Sequence, residues 1–294
     1  MYFILGIANL FAQPVHLHVN IKDAATQRPL AYATVYSAKM QTGIYSTENG
    51  LVEWTLDASD TVTVSFLSYQ TQKIVVSVLR EANEILLKET PLSLDEVVIK
   101  SSSKRKNIYR IGFYDDDTEF DAWGVGIGCI AVNNIANNTG KIGYLKTLFI
   151  DSGKAKKQPH RALARVRIYA SDGIRKSPGR DLLNQNIIFD IPRFATHVQV
   201  DLSPYTIIFP LEGLFIGFEF LGFDTKKGLV TDWKLQTGAN VTSTKRDDYR
   251  SVGSSWRFRD TMARPVWMNI TDNPEHKGWN KILFKIGAEV ETVE

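Results

Sequence analysis

The chain reads as an all-β protein made of two sandwiches in tandem, the second of jelly-roll type. Three observations predict this. Apolar and polar residues alternate at period two over many short segments, the mark of half-buried strands. Turn signals recur about every ten residues. A polar stretch, Ser101-Ser102-Ser103-Lys104-Arg105-Lys106, lacks apolar periodicity and divides the 294 residues into lengths of ordinary domain size.

Composition narrows the function classes. Hydrophobic residues make up 44% and charged residues 23%, an ordinary globular balance. The formal net charge is +3, too small to imply a nucleic-acid partner. It hides two unlike halves: 7 basic and 10 acidic residues from Pro14 to Lys100 give −3, and the remainder gives 28 − 22 = +6. The single cysteine, Cys129, excludes an internal disulfide framework, a CxxC zinc site and a thioredoxin-type motif. None of the five histidines lies in an HxxE or HExxH arrangement.

Tyr2 to Ala12, YFILGIANLFA, is an apolar run too short for a bilayer, which needs about 20 residues. It suits the apolar core of a secretory signal peptide over residues 1–12. No Lys or Arg precedes it, and Leu10 fits the small-x-small cleavage pattern badly, whereas Gly6 and Ala8 fit it. The competing reading is a buried first strand. Cys129 is far from any cleavage point, so no lipid anchor is expected, and no later apolar run reaches transmembrane length. The expected location is periplasmic, outer-membrane associated or secreted, with envelope proteins or surface glycan as partners.

In the first half, Val15, Leu17, Val19 and Ile21 alternate with His16, His18, Asn20 and Lys22 as one strand. Asp23 to Pro29 is a turn and Ala31 to Ser37 a second strand. Glu48-Asn49-Gly50 is a hairpin-type turn, because Asn-Gly tolerates positive φ. Thr61 to Phe66, Gln72 to Val76 and Glu84 to Leu87 are further strands, rich in Val, Ile and Thr.

Four segments of this half carry a resemblance. They are Lys22-Asp23 with Arg28-Pro29-Leu30-Ala31-x-Ala33-Thr34-Val35; Gly43-x-Tyr45-Ser46-Thr47-Glu48-Asn49-Gly50; Ser65-Phe66-Leu67-Ser68-Tyr69-Gln70-Thr71; and Leu94-Asp95-Glu96-Val97-Val98-Ile99. In this order, over residues 14–100, they resemble the carboxypeptidase-D regulatory-like domain found ahead of TonB-dependent outer-membrane receptors. Ser68 stands where the "S-x-x-G-Y" strand end has glycine. The resemblance implies a seven-stranded transthyretin-like sandwich without catalytic residues of its own. Physically, Pro29 fixes φ at a turn end, Gly50 permits a tight turn, and Tyr69 buries its ring with its hydroxyl at the rim.

Past a linker at 101–107, residues 108–294 are again mainly β. Tyr144 to Ile150, Ala164 to Ala170, His197 to Leu202 and Leu214 to Leu221 are the clearest strands. In the second, Val166 and Ile168 face one way, and Arg165, Arg167 and Tyr169 the other. The fourth is apolar on both sides except for Glu219, which suits a central covered strand. Trp279 to Val290 gives a closing strand. About eight to ten strands in two sheets make a jelly-roll-like sandwich. The order "R-x-R-I-Y…P-G-x-D-L-L…V-D-L-S-x-Y…F-P-L-E-G-L-F-I-G-F-E" resembles the C-terminal half of uncharacterised bacterial envelope proteins that share the first domain.

Candidate sites compete with plainer roles. Asp115, Asp116, Asp117, Glu119 and Asp121 crowd five carboxylates together, which suits calcium or a solvated acidic loop. Lys154 to Arg180 holds nine basic residues and one acid, so Arg165 and Arg167 are candidates for an anionic ligand or members of a solvated rim. Asp201 and Glu219 lie on strands expected to neighbour one another and are the candidate pair for a glycoside hydrolase. His16 and His18 share a strand face suited to metal or solvent. Of Trp233, Trp256, Trp267 and Trp279, Trp256 in its polar setting is the candidate for stacking on a sugar. The leading expectation is a non-enzymatic envelope protein, adaptor or binding module, without cofactor. A glycan-binding protein with calcium is the alternative.

Overall fold

A computed structural model describes residues 14–90, 106–113, 124–126, 128–151, 161–193, 195–225, 228–230, 235–236, 238–241, 252–259, 266–269 and 281–293. The chain forms two compact units, Met1–Leu92 and Ser93–Glu294. The expected signal peptide lies outside the described residues. No helix among the described residues is long and apolar enough to cross a membrane.

Among its described residues the first unit holds seven strands: β1 (Pro14–Asp23), β2 (Thr34–Ser37), β3 (Thr42–Tyr45), β4 (Leu51–Asp57), β5 (Thr61–Ser65), β6 (Gln72–Val75) and β7 (Glu84–Leu87). They make a sheet of order β4-β1-β7 and a second of order β3-β2-β5-β6. Period-two alternation in β1 buries Val15, Leu17, Val19 and Ile21 and exposes His16 and His18. The buried set meets Val35, Val62 and Val64 of the facing sheet in one core with Leu56 and Leu87.

Two local readings are corrected. Strand β2 begins at Thr34, because Tyr32 takes a left-handed φ of 59° and breaks the extended run from Ala31. The Asn49-Gly50 turn joins no hairpin. It carries the chain from β3, paired with β2, to β4, paired with β1, and so crosses between sheets. Asn-Gly encodes the positive φ, 76° at Gly50, and leaves open which strands flank it. A Cβ at Gly50 would lie 2.6 Å from the Ile21 carbonyl oxygen, so the turn also needs glycine for close approach.

Tyr69 closes the sandwich as its position suggests. Its ring packs edge-on against Phe66 at 5.3 Å, and its hydroxyl donates to Asp23 Oδ2 at 2.6 Å. Asp23 Oδ1 accepts from the backbone N–H groups of Ala25 and Thr26, shaping the turn after β1. The Tyr69 hydroxyl and the Thr26 N–H hold the Asp23 carboxyl down to about 2. Ser68, where the motif has glycine, has a left-handed φ of 65°.

The second unit contains β8 (Lys106–Gly112), β9 (Gly124–Val125), β10 (Ile130–Ile135), β11 (Gly143–Asp151), β12 (Ala162–Tyr169), β13 (Ile188–Ile191), β14 (His197–Asp201), β15 (Ile208–Phe209) and β16 (Leu214–Thr225). Beyond these lie β17 (Gly228–Val230), β18 (Leu235–Gln236), β19 (Gly238–Val241), β20 (Val252–Arg259), β21 (Val266–Asn269), β22 (Lys281–Phe284) and β23 (Ile286–Val293). One large sheet runs β13-β12-β16-β10-β20-β21, with β17 on β16; a second runs β14-β11-β23-β8, with β15 on β11. The strand segments outnumber the eight to ten expected, because short pieces such as β9, β15 and β18 carry too few residues to show a period. Lys106 and Asn107, assigned to the linker, open β8 and pair with β23.

Strand β16 is central as its sequence implies: Leu214 to Phe223 are all buried, between β12 and β10. A Cβ on its Gly217 would fall 1.9 Å from the Ala131 carbonyl oxygen, so only glycine fits there. The expected closing strand is broken at Lys285. Before it, β22 pairs with β19; after it, β23 joins β11 and β8. The buried Lys285 lies with its ammonium 5.9 Å from the Phe113 ring centre. Asn133 of β10 reaches across and donates through Nδ2 to the carbonyls of Phe284 (2.8 Å) and Ile286 (3.0 Å).

Two outcomes follow. The lowered Asp23 carboxyl contributes stability above the unfolded value near 3.8, and this is lost as pH falls toward about 2. Thermal unfolding of the wild type should therefore fall more steeply between those limits than that of Asp23→Asn; parallel curves would refute it. Replacing Ser68 with glycine removes a left-handed side-chain penalty and should raise stability by about 1 kcal/mol in urea titrations.

Candidate functional site

Register assigns the faces of the large sheet. Arg165 lies opposite Glu219, and Arg167 opposite Gly217. Glu219 and Gly217 in turn face Ile130 and Val132 of β10. Asn133, one step along β10, bonds the end of β22 and, in the other large sheet, the start of β23, so the inter-sheet core lies on its side. The arginines and Glu219 occupy the opposite face, with a packed cluster of Ile130, Val132, Tyr169 and Phe215 beside them.

That face is nevertheless closed. Arg165 is 1% exposed and Glu219 4%. The guanidinium of Arg167 donates to Glu219 Oε2 through Nε (2.8 Å) and Nη2 (2.6 Å), and to Asp181 Oδ2 through Nη1 (3.0 Å). Arg165 Nε lies 3.8 Å from the same Glu219 oxygen. Two cations and two carboxylates thus cancel, as buried ions must. Burial opposes the Arg167 charge, but Glu219, Tyr169 and Asp181 outweigh it and raise its pKa. Burial also raises the Asp181 carboxyl, against the pull of Arg167 and the Leu183 N–H. The Tyr169 hydroxyl is raised by burial. Asp181 reaches this cluster because the chain folds back after β12: the Leu182 N–H meets the Ile168 carbonyl and the Ala170 N–H meets that of Arg180.

The solvated-rim reading of Arg165 and Arg167 is therefore corrected: both are buried in ion pairs. Period two correctly put them on one face, but the fold-back that covers it carries no periodic signal. The expectation that Asp201 and Glu219 sit on neighbouring strands is also corrected. Asp201 ends β14 in the smaller sheet, opposite Thr147, and is exposed, whereas β16 neighbours β12, β10 and β17. Asp201 Oδ1 accepts from the Ser203 N–H at 2.9 Å. That N–H and the Ser203 hydroxyl hold its carboxyl below the usual range.

A half-open cavity of about 210 Å³ lies in the same unit, between the fold-back after β12 and the segment from Tyr205 to Gly213. Leu182, Leu183, Ile207, Ile208 and Pro210 supply apolar wall. Arg180, Gln185, Tyr205 and Glu212 supply polar groups. No periodic signal announces it, although Leu182, Leu183, Tyr205, Pro210, Glu212 and Gly213 fall within the D-L-L…L-S-x-Y…F-P-L-E-G order quoted above.

Other expected sites are placed as follows. His16 Nδ1 contacts Thr55 Oγ1 and His18 Nδ1 contacts Glu53 Oε1, each at 3.0 Å across the β1–β4 pair. Asp115, Asp116, Asp117, Glu119 and Asp121 lie outside the described residues, as do Trp233 and Trp279. Trp256 lies on β20, opposite Val132, and Trp267 on β21. Among the described residues no group of three or more His, Cys, Asp or Glu is placed to hold a metal ion.

The seven-stranded, two-sheet fold and its Asp23–Tyr69 closure define the first unit as a small β-sandwich module. Residues 20–99 match the family model of the CarboxypepD_reg-like domain. No curated protein matches the chain.

The buried cluster makes a sharp prediction. Glu219→Ala strips the partner from Arg167 and Arg165 and should cost about 3–5 kcal/mol in denaturant titrations. Asp201→Ala, at an exposed turn, should leave the midpoint nearly unmoved; equal effects would disprove the distinction.

Proposed function

We propose that this chain is a non-enzymatic binding or adaptor protein of a bacterial cell envelope, exported by residues 1–12. Its place is the periplasm, the outer-membrane face or the exterior, with envelope proteins or surface glycan as partners. A CarboxypepD_reg-like domain is a binding or structural module, which supports this reading. That domain match carries the reading, and the engagement of Glu219 weighs against the glycosidase pair Asp201 and Glu219. A glycosidase needs one carboxyl kept protonated and a second close by. Glu219 is tied to Arg167 by two hydrogen bonds, and Asp201 lies in a different sheet with its carboxyl shifted the wrong way for an acid.

A second reading, a glycan-binding accessory protein with calcium as a candidate cofactor, is favoured by the half-open cavity. Incubation of the purified chain with aryl glycosides and oligosaccharides should release no product, with or without calcium. Turnover abolished by Glu219→Gln or Asp201→Asn would overturn the non-enzymatic reading. In-cell cross-linking should join the chain to envelope components; exclusive cross-linking to cytoplasmic proteins would overturn the location.

A further inference from the structure

The cavity differs from the neighbouring ion cluster in one decisive respect. In the cluster every described charge has a partner. In the cavity, the Arg180 guanidinium, the Gln185 amide, the Tyr205 hydroxyl and the Glu212 carboxylate line the space and are bonded to no other side chain or backbone group among the described residues. Arg180 and Glu212 are exposed, while Tyr205 is half-buried. Exposed or half-buried side chains of this kind stay available to a ligand that enters the space.

The chemistry of this set is specific. Arg offers donors only, Glu acceptors only, and amide and phenol offer both. One positive and one negative side chain favour neither sign of charge, which leaves an uncharged polyhydroxyl ligand or a zwitterion, and the test below separates the two. Aliphatic walls and one aromatic ring need an apolar surface to cover. A ligand that meets all three demands has no net charge, many groups that both donate and accept, and C–H faces. That is a saccharide, and about 210 Å³ admits one or two sugar rings.

We infer that this cavity is a binding site for a neutral saccharide, with Arg180, Gln185, Tyr205 and Glu212 as its hydroxyl-recognising groups. The inference rests on the binding-module reading above and names its ligand class. It moves the sugar-contacting aromatic from Trp256 to Tyr205. The walls are fixed, because the Ala170 N–H to Arg180 carbonyl and the Gly213 N–H to Pro210 carbonyl bonds pin both lips.

The test is titration calorimetry and saturation-transfer NMR on the full chain. The probes are glucose, galactose, mannose, N-acetylglucosamine, maltose and cellobiose, with glycine and glutamate as zwitterionic and anionic controls. At least one neutral sugar should bind saturably and the controls should not. Arg180→Ala and Glu212→Ala, both at exposed positions and checked for unchanged thermal unfolding, should each weaken that binding about tenfold. Sugar binding unaffected by either variant places the site elsewhere and overturns this inference while leaving the binding-module reading intact. Binding of none of these sugars, or of the charged controls instead, overturns the ligand class. Failure of the parent reading shows separately, as glycoside turnover or cytoplasmic cross-linking.

Discussion

A guanidinium can be removed from water only if its charge and its donors are met where it lands. In the second unit this constraint governs the arrangement around β12 and β16. Arg167 reaches Glu219 because the two strands pair with Arg165 opposite Glu219. It reaches Asp181 because the chain turns back along β12. The same fold-back that supplies the second carboxylate also supplies one lip of the cavity. Closure of the sheet face and formation of the cavity are thus consequences of one electrostatic requirement.

The first unit solves a smaller version of the same problem. Asp23 ends β1 buried, and its two oxygens are divided between the turn that follows and the phenol of Tyr69, 46 residues further on. The acid therefore shapes the local turn and also anchors the end of the domain. These are fold residues, and the chemistry they show is that of holding a sandwich together.

Much of this was legible in the sequence. Alternation located β1, β12 and β14, and richness in Val, Ile and Thr located β5 and β7. The isolated Glu219 in an otherwise apolar strand marked β16 as covered. What escaped has a common cause. The Asn49-Gly50 turn states a backbone angle and leaves its flanking partners open. The break at Lys285 falls inside an alternation, Ile282, Phe284 and Ile286, that continues across it and gives no sign that its two halves join different strands. Arg165 and Arg167 looked like rim residues because their cover, the segment around Asp181, is irregular. The cavity groups Arg180, Gln185, Tyr205 and Glu212 are scattered over 33 positions and meet only through tertiary pairing. Charge alone cannot separate a solvated arginine from a buried one; only the location of its carboxylate can.

Asn133 has a further meaning. Its amide spans from the middle of one sheet to two carbonyls on either side of the point where the last strand changes partners. Both carbonyls point along one direction for only one alignment of the sheets. Sliding β10 by a single residue would replace this amide with Val132 or Asn134, one with no donor and the other aimed at the opposite face. The side chain therefore acts as an index pin. It ties β10 of the large sheet to the junction of β22 and β23, and so couples the alignment of that sheet to the strand that joins β11 and β8.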